Sequence, residues 1–98
     1  MYGLIVKMTV VPGRRDDVIA LLARCSRDMP GCSTYVIARD AADVNVLWVT
    51  EVWDSQASHD ASLTLRAVQD ALPRLKPLIA KLEKVAVTEP VAGLPGQS

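Results

Sequence analysis

The chain has 98 residues, 50% of them hydrophobic, with eleven Lys and Arg balancing eleven Asp and Glu. That is enough for one domain with a thin core, which gains by burying more surface on a second subunit. A net charge of zero gives no general pull on nucleic acid or an anionic membrane, and no run approaches the roughly 20 apolar residues that span a bilayer.

Residues 2–10 alternate, with Tyr2, Leu4, Val6, Met8 and Val10 on one face, which predicts a strand. The N-terminus has no basic flank ahead of its apolar run and reads as this strand, not as a signal peptide. Pro12-Gly13 makes a turn, and Asp16 and Asp17 favour a first helical turn. Val18, Leu21, Leu22, Cys25 and Met29 follow at helical spacing, so the helix is expected to run to Pro30-Gly31. Residues 32–39 read as a second strand and 45–53, rich in β-branched and aromatic residues, as a third; the short polar link makes them a hairpin.

Asp54-Ser55 is a helix-start signal, followed by the stripe Ala61, Leu65, Val68 and Leu72. Pro73 is expected to break or restart that helix, with Pro77 early in a second short segment carrying Leu78 and Ile79. Residues 82–88 predict a last strand with Val85 and Val87 on one face. Residues 1–89 form the domain; 90–98, holding Gly93, Pro95 and Gly96, have no period and read as a flexible tail or an arm laid on a partner. The order β-α-β-β-α-β is the ferredoxin-like arrangement, α+β, with a four-stranded antiparallel sheet whose helices cover one face.

The third strand also speaks to assembly. Val46, Trp48 and Val52 share one face with Thr50, while Leu47, Val49 and Trp53 share the other with Glu51. One apolar face packs under the helices; the other needs a cover, and a second copy of the sheet is the simplest one. The expectation is a homodimer through the sheet face. Cys25 and Cys32 form no CxxC motif and read as buried thiols of a reducing cytoplasm.

Two stretches carry a resemblance. Met29-Pro30-Gly31-Cys32-Ser33-Thr34-Tyr35 is similar to the "PGC-x-x-Y" stretch of the antibiotic-biosynthesis-monooxygenase family, and Thr50-Glu51-Val52-Trp53-Asp54-Ser55 to its "EvW-x-S" stretch. The likeness extends over residues 2–88. It implies a dimeric α+β barrel with a cavity between sheet and helices, and cofactor-independent oxygenation of quinols or anthrone-like polyketides, with neither metal nor flavin. Relatives that degrade haem usually carry an asparagine in the first strand, where this chain has Lys7 or a neighbour.

Trp53 matches the tryptophan that ends the family's third strand, and the resemblance gives it a wall position with an indole N–H for a substrate oxygen. His59, the only histidine, is the natural base because imidazole titrates near neutrality. Many family members instead place a histidine about nine residues after this tryptophan, where this chain has Ser62. Tyr35, Arg66 and Trp48 are the candidate substrate-binding residues, with Arg39 a further cation for a substrate anion. Glu51, if buried, needs a partner, and an ion pair with Lys7 or a partner-subunit arginine is expected. A lone histidine with no cysteine or histidine cluster predicts no protein metal site. The function expected is a cofactor-free monooxygenase acting on a small aromatic molecule. The alternatives are a non-catalytic module that binds an aromatic metabolite or only stabilises a partner, and an isomerase or cyclase on the same barrel.

Overall fold

The structure, a computed structural model, describes residues 1–93. Strand β1 spans Tyr2–Val10, helix α1 Arg15–Cys25, β2 Cys32–Arg39 and β3 Val46–Trp53. Helices α2, Gln56–Ser62, and α3, Arg66–Leu75, follow, then a single 3-10 turn over Lys76–Leu78 and β4, Ile79–Thr88. The four strands form one antiparallel sheet in the order β2-β3-β1-β4. The fold is α+β and ferredoxin-like. No described helix is long and apolar enough to cross a membrane.

The strand alternation sets the two faces. Leu4, Val6 and Met8 pair with Glu51, Val49 and Leu47, and these side chains turn toward the helices. With Val18 and Leu22 of α1 and Ala71 and Leu75 of α3 they build the core. On the other face lie Ile5 and Lys7, opposite Thr50 and Trp48, with Val36 alongside. That outer face carries no helix, and Val36 stands 51% exposed there.

Several local expectations are corrected. Helix α1 ends at Cys25; Asp28, at φ 52°, turns the chain out of the helix, and Met29 reaches the core from the loop. The helix after β3 breaks at Leu63–Leu65, not at Pro73. There the Ser62 and Thr64 hydroxyls donate to the backbone carbonyls of His59 and Ala61, and Leu65 is extended at ψ 141°. Short hydroxyl side chains compete with the backbone ladder in this way. Pro73 sits inside α3 on its exposed face, where water can reach the carbonyl that its missing N–H leaves unbonded. β4 starts at Ile79 and carries a bulge: Ile5 faces Ala86 while Val6 faces Lys84, leaving Val85 as the extra residue. The tail from residue 94 on lies outside the described residues.

Ser55 does cap α2, its hydroxyl accepting the Ser58 N–H at 3.1 Å. Gly31 explains why the two motif stretches meet. Its φ of 82° suits glycine, and a Cβ there would collide with Ser58 and Asp54. Its carbonyl accepts the Asp54 N–H at 2.8 Å. The start of β2 is thereby pinned to the first turn of α2, where Ser58 immediately precedes His59.

Candidate active site

Between the inner sheet face and the helices lies a cavity of about 540 Å³. That is within the range of roughly 300–1,000 Å³ common to small-molecule sites. Its floor is apolar, with Leu4, Val6 and Met8 of β1 and Leu22 of α1. Its mouth lies between the α2–α3 connection and β4, where Leu63 and Leu82 are 49% and 56% exposed.

The side chains of Tyr35, Glu51 and His59 converge inside. Strand register brings the first two together, since Tyr35 lies directly opposite Glu51. Glu51 is buried, and its one hydrogen bond among the described residues comes from the Trp53 indole, Nε1–H to Oε1 at 3.0 Å. Burial raises the Glu51 pKa; the Trp53 hydrogen bond, His59 and Lys84 each oppose that rise. Burial, and then the Glu51 charge, push the Tyr35 phenol well up, so it keeps its proton and remains a donor. Tyr35 makes no side-chain hydrogen bond to another described residue.

His59 packs its ring edge-on against Trp53 and tilted against Tyr2, with centroids 5.5 Å away in both cases. Its Nδ1 lies 3.0 Å from the Asp60 carboxylate. With Nδ1–H donated to Asp60, Nε2 is left as the acceptor. Ser62, one turn further along α2, also lines the cavity. Residues three apart share a helix face, so a histidine at 59 reaches the same space as one at 62 would.

The other candidates are placed differently from the expectation. Trp53 walls the cavity, but its N–H is taken by Glu51 and cannot serve a substrate oxygen. Trp48 is on the outer sheet face, donating Nε1–H to Asp40 at 2.8 Å, with the Lys7 ammonium 5.7 Å from its ring centroid. That bond, with the Ala42 and Asp43 N–H groups, holds the Asp40 carboxyl down to about 2. Lys7, on that outer face, is no partner for Glu51, and no ion pair among the described residues includes Glu51. Arg66 is 93% exposed and reaches only Asp70, at 3.8 Å, while Arg39 pairs with Asp16 at 2.8 Å. Cys25 and Cys32 are free thiols raised by burial.

The sequence profile of the family "Antibiotic biosynthesis monooxygenase" matches residues 1–74, which include all of β1–β3 and the Tyr35–Glu51–His59 cluster. The chain belongs to the antibiotic biosynthesis monooxygenase family. A crystal structure named for the same family, from Chloroflexus aurantiacus J-10-fl, is 52% identical, with a TM-score of 0.90 and 94% of each chain covered. The fold is shared at lower identity by PA3566 from Pseudomonas aeruginosa, at 18%, TM-score 0.80, covering 93% of this chain and 94% of that one. It is shared also by Rv0793 from Mycobacterium tuberculosis, at 19%, TM-score 0.75, covering 94% and 96%. No curated protein matches the chain.

Among the described residues of this family member, no group of three or more His, Cys, Asp or Glu side chains is placed to hold a metal ion. Glu51 was not among the site residues that sequence reasoning named, and within this chain its partner is the Trp53 indole and not Lys7. Its signal was present: a carboxylate at an inward position between Val49 and Trp53.

Proposed function

We infer that this protein is a cofactor-independent monooxygenase that oxygenates a phenolic, quinol or polyketide-type aromatic with O2. The observation that carries the reading is the convergence of Tyr35, Glu51 and His59 in one apolar cavity. An electron-rich hydroxyaromatic needs little more than this. Glu51 or His59 takes a proton, and the resulting anion gives one electron to O2. The two radicals combine to a peroxide at a ring carbon that bears a hydrogen, and the peroxide takes the proton back from the base. Loss of water turns that carbon into a carbonyl, so one oxygen atom stays in the product and the substrate supplies every electron. The Tyr35 hydroxyl donates to the oxyanion as it develops, and the apolar floor keeps water out. Trp53 acts as a positioning residue that holds Glu51.

The test is an oxygen electrode with anthrone and 1,4-dihydroxynaphthalene, no added cofactor, and product mass in 18O2. Uptake with one labelled oxygen per product supports the reading. Binding of these aromatics with no uptake would instead favour the binding module, and rearranged product without uptake the isomerase or cyclase.

The working unit in this reading is a homodimer joined through the outer sheet face. What supports it is the apolar set Ile5, Val36, Trp48 and Val52 on a face without helices. Thr50 lies exposed at its centre, opposite Ile5 and Val36. Thr50→Lys places a charge in the middle of this apolar face. At micromolar concentration the wild type should scatter light as a dimer and the variant as a monomer; a wild-type monomer would remove the proposal. Two free thiols suit a reducing compartment, and a cytoplasmic location is part of the same reading.

A further inference from the structure

The carboxylate of the cavity and its ammonium groups sit on different elements. Tyr35, Glu51 and His59 gather at the inner end, and Glu51 is the cavity's only carboxylate among the described residues. Lys76 and Lys84 line the other end and belong to none of the ion pairs among the described residues. Lys81, also at this end, lies 3.6 Å from Glu83. The bulge at Val85 decides where Lys84 points: opposite Val6, on the inner face, between the exposed Leu82 and Val87. Glu51 stands opposite Leu4, two strands away from Lys84 and two residues along. Standard sheet spacings put their Cα atoms about 12 Å apart. Both side chains rise from the inner sheet face, with the apolar Leu4 and Val6 of β1 between their strands.

We propose that the cavity takes a fused bicyclic hydroxyaromatic bearing a carboxylate, its hydroxyl toward Glu51 and His59 and its carboxylate on Lys84. The inference rests on the reading of this cavity as the reaction site. A carboxylate turned inward would meet Glu51; turned outward it meets the ammonium groups of Lys76 and Lys84, which form no ion pair among the described residues, beside an apolar rim. Lys84 is then the residue that sets specificity and orientation, so that the oxidisable ring faces the base.

Redox-inert probes test the site without chemistry. By titration calorimetry at low salt and neutral pH, 6-hydroxy-2-naphthoate should bind wild type at least about fivefold more tightly than 2-naphthol. Lys84→Met, which keeps the stem and removes the charge, should abolish that preference, and Lys84→Arg should retain it. About 0.5 M NaCl should narrow the preference in wild type. Equal affinities in wild type, a preference that survives Lys84→Met, or no binding of either probe would overturn the proposal. The oxygen electrode keeps the two failures apart. Uptake with neutral 1,4-dihydroxynaphthalene but no carboxylate preference leaves the monooxygenase standing and removes the role of Lys84. A preference lost in Lys84→Met with no uptake from any hydroquinone does the reverse.

Discussion

Glu51→Gln should lower oxygen uptake by at least about 10²-fold while making the protein more stable at neutral pH. The first effect is the ordinary worth of a general base. The second follows from burial. The Glu51 pKa is raised from 4.5, so over the range between the two values the native state holds a proton that the unfolded chain has lost. Wild type therefore loses stability relative to the Gln variant as pH rises from 4.5 through the folded value, and the difference then levels off. The groups around the carboxyl make this a clean comparison. His59 and Lys84 pull its pKa down, Tyr35 across the ladder stays neutral, and the nearby Cys32 thiol is itself raised. In the variant the glutamine amide oxygen still accepts the Trp53 N–H, so packing is kept. Urea unfolding of both proteins between pH 4 and 8, beside oxygen uptake at each pH, checks both halves. Full activity in the Gln variant would move the role of base to His59.

Trp53→Ala should come close to unfolding the protein. The indole is fully buried at 0% exposure, and removing such a ring costs about 3–5 kcal/mol. A domain of this kind has a net stability of about 5–15 kcal/mol, so the loss is a large share of the whole. It also takes away the ring that His59 packs against and the donor that holds Glu51. Trp53→Phe separates the two roles. It keeps most of the apolar bulk but deletes the hydrogen bond that opposes the rise of the Glu51 pKa. The fold should survive, and the rising limb of kcat/KM against pH should move to higher pH. Thermal melts and pH–rate profiles of wild type and both variants are the measurements. An unshifted limb in Trp53→Phe would mean that Trp53 only packs.

Much of this molecule was legible in its residues, because the signals concerned are local. Period-two alternation fixed the faces of β1 and β3, and the Asp54-Ser55 pair marked the start of α2. The same parity already set Trp48 and Trp53 on opposite faces, so the distance of Trp48 from the cavity could be read before any fold was known. Glu51 was likewise readable as inward. Its partner was not, because the Trp53 N–H two residues on competes with any ion pair, and only the folded strand shows which atom arrives. The helix break misled for a related reason. Proline is the stronger breaker by propensity, but Pro73 sits on a wet face that tolerates it, while the hydroxyls of Ser62 and Thr64 turn back onto carbonyls of their own helix. Tertiary structure alone decided Lys84. Strict alternation puts Lys84 and Ala86 on the same face; the extra residue at Val85 separates them, sending Ala86 outward and Lys84 over the cavity. A bulge arises from the pairing of two strands and leaves no mark in the sequence of one.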